Sequence, residues 1–182
     1  MKALRSITLD DGSTILIRPI HGEDRELLAR MFERLSDGAR SARFRGRIDT
    51  LSEEDLDYLT DVDHFRHDAL VAIDLREHEA VGVARYVRLP GRRELAEVAV
   101  EVLDDWQRKG VATALLLELT DRARAAGVRE YSAVVARDNK VMLEQLERLG
   151  AEPLRELEEG VEYALDLDSA PVAARLGRSI GA

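Results

Sequence analysis

Residues 94–114 read Glu-Leu-Ala-Glu-Val-Ala-Val-Glu-Val-Leu-Asp-Asp-Trp-Gln-Arg-Lys-Gly-Val-Ala-Thr-Ala, and this stretch decides the fold. It predicts a buried strand, a sharp polar turn and the first turn of a long helix. The turn contains the pattern Gln107-x-x-Gly110-x-Ala112. The first N–H groups of a helix lack internal partners, and the helix dipole adds about half a positive charge there. Because Gly110 has no Cβ, a phosphate can approach the main chain closely. We therefore predict a site for a nucleotide-like pyrophosphate.

Composition narrows the class of protein. The chain has 182 residues, of which 45% are apolar, which predicts one domain with a substantial core. The 36 acidic and 27 basic residues give a net charge of −9, which disfavours a nucleic-acid partner and favours a cationic substrate. The absence of cysteine excludes disulfides, cysteine zinc sites and thiolate nucleophiles.

No segment indicates export or a membrane. Residues 1–8 lack the apolar run of a signal peptide, and no apolar stretch approaches bilayer length, so we expect a cytoplasmic protein without a membrane partner. The chain also lacks the Gly-x-x-x-x-Gly-Lys-Ser/Thr pattern, which argues against a P-loop nucleotidase.

Apolar periodicity and turn residues predict alternating strands and helices. A hairpin turn is expected at residues 9–13 and a loop at 36–50. Strands are expected at 14–20, 68–75, 80–88, 95–103, 130–136 and 161–167. Helices are expected at 24–35, after Ser52, at 111–126 with Leu115, Leu116, Leu119 and Ala123 facing inward, and at 139–150. A single mixed sheet with helices on both faces accommodates this order.

The order of elements, with Gln107-x-x-Gly110-x-Ala112 between the fourth strand and the third helix, resembles the GNAT superfamily of acyl-CoA-dependent N-acyltransferases. The resemblance covers roughly residues 8–167. Several segments are similar to the catalytic domain of bacterial protein-lysine acetyltransferases, namely 11–13 with 17–20, 32–36, 59–63, 81–86 and 104–107. The resemblance implies an α/β (α+β mixed) fold with a single mixed, mostly antiparallel central sheet. The domain would span residues 1–167, and 168–182 would form a weakly ordered tail.

The resemblance also implies acetyl-CoA as cosubstrate and no metal. Main-chain amides would cradle the CoA diphosphate, which places the site at Gln107, Arg108, Lys109, Gly110, Val111, Ala112 and Thr113. The strand backbone around Val100 and Val102 would pair with the pantetheine arm, and the Val102 N–H would polarise the thioester carbonyl. Asn139 would contact the CoA arm, or it is simply the N-cap of its helix.

Two glutamates compete for the role of general base. Acyl transfer to an ammonium requires removal of its proton, and desolvation on a half-buried strand makes a carboxylate a stronger proton acceptor. In the resembled lysine acetyltransferases the Ala-Glu of this strand supplies the base, which corresponds to Ala96-Glu97. Glu97 could also be a solvated residue at a strand end. Glu101 lies about 13 Å further along a regular strand; it could bind the acceptor cation, replace Glu97 as base, or face solvent, and we favour solvent.

Two further positions bear on the mechanism. Leu146 occupies the place where many GNAT enzymes have a tyrosine that protonates the leaving thiolate, so water would have to supply that proton. His64 and His67, with Asp61, Asp63 and Asp68 nearby, lack a diagnostic metal spacing and favour a solvated loop.

The sequence therefore predicts direct acetyl transfer from acetyl-CoA to an amine, with a protein lysine as the favoured acceptor and Glu97 as base. A small-molecule amine acetyltransferase and a non-catalytic acyl-CoA-binding sensor remain as alternatives. The partners expected are acetyl-CoA or CoA and the amine acceptor, which could be a protein, and the chain is either a monomer or a homodimer.

Overall fold

The computed structural model describes residues 4–36 and 51–169. In chain order the elements are β1 (Arg5–Thr8), β2 (Thr14–Pro19), α1 (Arg25–Glu33), α2 (Glu53–Thr60), β3 (His67–Asp74), β4 (Ala80–Leu89), β5 (Arg92–Val102), α3 (Val111–Ala125), β6 (Glu130–Val135), α4 (Lys140–Leu149), β7 (Glu152–Glu156) and β8 (Val161–Asp166). Most of the loop expected at 36–50, and most of the tail expected at 168–182, lie outside the described residues.

The strands form one sheet in the order β1-β2-β3-β4-β5-β6-β8-β7. The pairs β1 with β2, β2 with β3, β6 with β8 and β7 with β8 are antiparallel, whereas β5 and β6 are parallel. This single mixed, mostly antiparallel sheet with its helices confirms the predicted fold class.

The chain divides into two compact units. One comprises the described residues up to Arg85 together with Ala99–Leu119, and the other comprises Tyr86–Val98 together with the described residues from Thr120 onward. A buried apolar cluster in the first unit includes Ile20, Leu28, Met31, Phe32, Leu59, Val71, Val83 and Leu103. In the second unit the largest buried side chains include Tyr86 and Tyr131, whose ring centroids are 6.4 Å apart.

Most helix and turn predictions are confirmed. The turn at 9–13 joins β1 and β2, with Gly12 at φ 83°. Ser52 and Asp55 form the predicted capping box of α2. On α3, Leu115, Leu119 and Ala123 are buried as predicted.

The inward position predicted for Leu116 is wrong, because Leu116 is only partly buried and Leu117 is buried instead. Leu117 lies about 200° around the helix from Leu115, which means that α3 is covered on more than one side.

Two strand predictions need correction. Strand β7 was not predicted, because every residue of Glu152–Glu156 is exposed and the segment lacks an apolar alternation. Its partner is β8, and Pro153 is tolerated at such a position. Strand β5 begins at Arg92, three residues before the predicted start at Leu95. The first three residues were not predicted as strand because they are charged and exposed.

We expect Gly160→Ala to destabilise the fold strongly. A Cβ at this position would lie 2.2 Å from the Val135 carbonyl oxygen and 2.7 Å from its carbon, so the backbone where β6 pairs with β8 must shift. Overpacking of this kind costs about 1–3 kcal/mol. Urea unfolding measures the loss. Gly22→Ala is the matched control, since its Cβ would meet nothing within 4 Å. Equal stability of the two variants would contradict the prediction.

Candidate functional site

The proposed base lies where the parallel pairing of β5 ends. The register of β5 with β6 runs from Leu95 opposite Glu130 to Glu97 opposite Ser132, although β5 continues to Val102. Leu95 and Ala96 are buried, but Glu97 is exposed. The half-buried position expected for Glu97 is therefore wrong for the chain without substrates.

The last part of β5 leads directly into the turn. Val102 is buried and Val100 is half-buried. The Val102 carbonyl accepts a bond of 3.3 Å from the Gln107 side-chain amide. The same amide donates to Asp104 Oδ1 at 2.9 Å, so Gln107 holds the turn against the strand from which it emerges. Gln107 thus has a structural role that the sequence pattern alone did not predict.

The backbone turns twice in the left-handed region before α3. Arg108 has φ 60° and Gly110 has φ 94°. Glycine adopts this conformation freely, whereas a left-handed arginine stores about 1–3 kcal/mol of strain. Sequence reasoning singled out the backbone freedom of Gly110 but did not predict the left-handed backbone of Arg108, because no residue preference marks an arginine for this conformation. Strained backbone of this kind is concentrated at ligand sites.

The start of α3 presents unpaired donors. The first helical bond runs from the Ala114 N–H to the Gly110 carbonyl at 2.9 Å. The N–H groups of Val111, Ala112 and Thr113 therefore have no partner within the helix. Gly110 is exposed, and its missing Cβ leaves the approach open. Donors of this kind bind anions, and the pyrophosphate site stays a prediction.

A long-range contact secures the turn. The Lys109 ammonium lies 3.0 Å from the Asp11 carboxylate and 4.8 Å from the centroid of the Trp106 ring. Hydrogen bonds from the Ser13 hydroxyl and N–H, followed by the contact with Lys109, lower the pKa of Asp11 to about 2. Because Asp11 belongs to the first hairpin, no local pattern could have predicted this tie. The Lys109 side chain therefore anchors the turn to the first hairpin.

Gly82 of β4 lets α3 approach the sheet closely. A Cβ at this position would lie 3.1 Å from side-chain carbons of Val111 and Leu115 and 3.2 Å from the Glu101 carbonyl. The absence of a side chain at Gly82 thus allows the first turn of α3 to pack closely on this part of the sheet.

The second unit carries two further residues of interest. The Asn139 side chain accepts a bond of 3.2 Å from the Met142 N–H and is the N-cap of α4. Its proposed contact with the CoA arm is not tested by this bond and stays a prediction. Leu146 is buried on the same helix and has no proton to donate.

Glu101 does not have the solvent-facing position that we favoured. It is half-buried and lines a cavity of about 40 Å³ together with Arg85 and the apolar side chains of Leu28, Met31, Phe32, Leu35, Leu51, Leu59 and Val83. The inward position of Glu101 agrees with the alternation of side chains in extended backbone. Leu103, two residues further along and therefore on the same face, is buried in the apolar cluster.

The histidine segment is held in place by hydrogen bonds and is not simply a solvated loop. His64 Nδ1 lies 2.8 Å from the buried Asp68 carboxylate, and His67 Nε2 lies 3.1 Å from Arg85 Nη1. The Asp63 carboxylate accepts the N–H groups of Phe65, Arg66 and His67. Among residues 4–36 and 51–169, no group of three or more His, Asp or Glu side chains is placed to hold a metal.

The junction between β2 and α1 contains a buried ion pair. Arg18 donates to both Asp24 oxygens at 2.6 and 2.7 Å, and the His21 N–H donates to Asp24 at 2.8 Å. Burial acts to raise the pKa of Asp24, but the bonds from Arg18 and His21 outweigh it and hold that pKa below its usual 3.8.

We expect Asp24→Asn to lose about 2–4 kcal/mol of stability at neutral pH, since the Arg18 charge then lacks its partner. Because the folded pKa of Asp24 is depressed, its contribution is complete above pH 3.8 and is lost as the pH falls toward the folded value. The difference between wild type and variant should therefore shrink below pH 4. Urea unfolding at pH 7 and pH 3 checks this. Asp10→Asn, at an exposed position, is the control. If wild type and Asp24→Asn differ as much in unfolding free energy at pH 3 as at pH 7, the prediction is contradicted.

A left-handed turn that leads into a helix with exposed N–H groups is typical of an anion-binding site. Comparisons with known proteins identify the family. The model of the acetyltransferase (GNAT) family matches residues 29–151. An acetyltransferase of Pseudomonas aeruginosa is 38% identical over 140 residues, which cover 74% of this chain and 73% of that protein. The acetyltransferase Pat of Mycolicibacterium smegmatis is 36% identical over 101 residues, which cover 56% of this chain and 30% of that protein.

Among solved structures, the GNAT domain of S. lividans PAT superimposes with a TM-score of 0.83 at 31% identity, covering 90% of this chain and 96% of that one. The chain belongs to the GNAT acetyltransferase family and is an acyl-CoA-dependent N-acyltransferase. Within the described ranges, no helix is long and apolar enough to cross a membrane.

Proposed function

We propose that the chain transfers the acetyl group of acetyl-CoA to the ε-amino group of a protein lysine by direct attack in a ternary complex. The observation that carries the proposal is the turn from Gln107 to Thr113, in which two left-handed residues precede a helix with free N–H groups. The amides of Arg108, Lys109, Gly110, Val111, Ala112 and Thr113 hold the CoA diphosphate. The partial positive charge of the helix start adds to this binding.

The backbone of β5 binds the rest of the cosubstrate. Since the register with β6 stops at Glu97, the strand from Val98 to Val102 offers main-chain groups on that edge. Val100 and Val102 pair with the pantetheine arm as a neighbouring strand would. The Val102 N–H donates to the thioester carbonyl oxygen and stabilises the negative charge that develops there.

Glu97 prepares the nucleophile. Its exposed carboxylate accepts a proton from the acceptor ammonium, directly or through one water. The neutral nitrogen then attacks the carbonyl carbon, a C–N bond forms and the C–S bond breaks, and the nitrogen loses its second proton to water. The electron pair of the broken bond leaves with the CoA sulfur, which takes its proton from water because Leu146 supplies none. A thiol with a pKa of about 8.5 is a sufficiently good leaving group for this route.

The lysine acceptor is supported by similarity in sequence and structure. A similar protein is named Pat and a similar solved structure is the GNAT domain of PAT. The segments 11–13, 17–20 and 59–63 also resemble protein-lysine acetyltransferases. A net charge of −9 also favours approach of a cationic acceptor.

Thiol release from acetyl-CoA tests the proposal, measured with lysine-bearing proteins, peptides and free amines. The chain has no cysteine and adds no background. Release that depends on a protein lysine, with acetyl-lysine located by mass spectrometry, is the expected result. Release with free amines alone would favour the small-molecule alternative. CoA binding without release would favour the sensor, and absence of CoA binding would overturn both.

A further inference from the structure

Helix α2 presents an exposed stripe in which an aromatic ring lies among carboxylates. Glu54, Asp57, Tyr58 and Asp61 are spaced i, i+3, i+4 and i+7, so they share one side of the helix. The opposite side is buried through Leu56, Leu59 and Thr60. Tyr58 is 52% exposed, which leaves part of its side chain available to a partner.

The turn after α2 adds a second exposed ring. Phe65 is 55% exposed, and its backbone is fixed because Asp63 accepts the N–H groups of Phe65, Arg66 and His67 at 2.7–2.9 Å. The Tyr58 ring stacks on His67, with centroids 5.2 Å apart and an interplanar angle of 30°. The two rings therefore belong to one ordered surface. We call Glu54, Asp57, Tyr58, Asp61 and Phe65 the α2 surface.

The charge of this region selects the class of partner. Residues 52–67 contain six carboxylates and one arginine, which gives a net charge of −5 with histidine neutral. Arg25 pairs with Asp57, but Asp57 remains 68% exposed. Carboxylates beside aromatic faces attract arginine and lysine side chains through charge and cation–π contacts, and they repel acidic segments. Exposed aromatic residues are also the usual anchors of protein interfaces.

The α2 surface is connected to the cavity at β5. His67, under the Tyr58 ring, lies 3.1 Å from Arg85. Arg85 donates to the Leu59 carbonyl at 3.3 Å and lines the cavity together with Glu101. Glu101 directly precedes Val102, to which we assign the thioester carbonyl. These contacts thus link the α2 surface to the cavity that Glu101 lines.

We infer that the α2 surface binds the basic segment that flanks the acceptor lysine of a substrate protein. This inference rests on the proposed function. Tyr58 and Phe65 cover the apolar parts of the segment, and Glu54 and Asp61 pair with its arginine or lysine side chains. The surface raises the local concentration of the acceptor and orients it, without taking part in the chemical step.

Defined peptides test the inference. Two 13-residue peptides with blocked ends each carry one central lysine. In the arginine peptide this lysine is flanked by arginine and leucine, and in the glutamate peptide it is flanked by glutamate and leucine. Nα-acetyl-lysine amide is the minimal acceptor. The Tyr58→Ser/Phe65→Ser variant should raise the KM of the arginine peptide about ten-fold, the effect of losing 1.4 kcal/mol of binding. Its kcat and its activity toward Nα-acetyl-lysine amide should not change. Added salt should also raise that KM in the wild type.

Two further variants sharpen the result. Glu54→Gln/Asp61→Asn keeps the shape of the surface, so it reports charge even if the aromatic variant folds poorly, and we expect it to raise the same KM. Leu154→Ser is the matched control, since Leu154 is 56% exposed on β7. An unchanged KM in both surface variants, or equal KM values for the two peptides in the wild type, would overturn the inference.

Direct binding separates this inference from the proposed function. Fluorescence anisotropy follows a dye-labelled arginine–leucine peptide without lysine, in the absence of acetyl-CoA. Binding that is lost in the surface variants supports the α2 surface even if no lysine is acetylated, which would refute only the proposed function. Absence of binding in the wild type would refute the α2 surface even if peptides are acetylated.

Discussion

Glu97→Gln is expected to lower kcat for acetyl transfer by about 10² to 10⁴-fold, the usual contribution of a positioned general base. Glutamine keeps the shape of the side chain but does not accept the proton of the ammonium. The CoA dissociation constant should stay within about two-fold of wild type, because the proposed cradle comprises residues 107–113 and the proposed base is not part of it. Thiol-release kinetics and calorimetric CoA titration measure the two quantities.

The matched control for this prediction is Glu94→Gln. Glu94 is exposed on the same strand, three residues before Glu97, and its replacement makes the same change in charge. Glu94→Gln should leave kcat unchanged. A Glu97→Gln enzyme with wild-type kcat would contradict the assignment and direct attention to Glu101, which lines the cavity beside Arg85. Loss of activity in both variants would indicate an effect of surface charge rather than of a base.

Gly110→Ala should weaken CoA binding by at least about ten-fold, which corresponds to 1.4 kcal/mol. Gly110 has φ 94°, a conformation in which an L-residue costs about 1–2 kcal/mol, and relaxation of this strain turns the cradle amides away from the diphosphate. The new Cβ would meet only Leu9, at 3.9 Å, so packing does not account for the effect. Calorimetric titration with CoA gives the dissociation constant.

Gly127→Ala separates strain from ligand binding. Gly127 has φ 89° just after the other end of α3, and its Cβ would meet nothing within 4 Å. Both alanine variants therefore lose similar stability, but only Gly110→Ala should lose affinity for CoA. Equal CoA affinity in the two variants would show that the cradle does not depend on the left-handed glycine.

Sequence predictions that depend on residues close together in the chain are confirmed, whereas those that depend on contacts between distant segments fail. The turn at 9–13, the capping box at Ser52 and the helix Val111–Ala125 are confirmed, because each depends on residues a few positions apart. Strand β7 was missed because an exposed edge strand carries no apolar alternation. The position of Glu101 was wrong because its cavity is lined largely by side chains of α1 and α2, far away in the chain.

The sequence by itself determined the mixed sheet, the glycine turn before α3 and the membership of the GNAT family, since periodicity, turn residues and short motifs are local. Only the tertiary structure decided the exposure of Glu97, the left-handed backbone of Arg108 and the tie between Lys109 and Asp11. It also placed Tyr58 against His67 and so joined two exposed rings into one surface. These features depend on where a strand loses its partner and on contacts between distant segments, which local preferences do not encode.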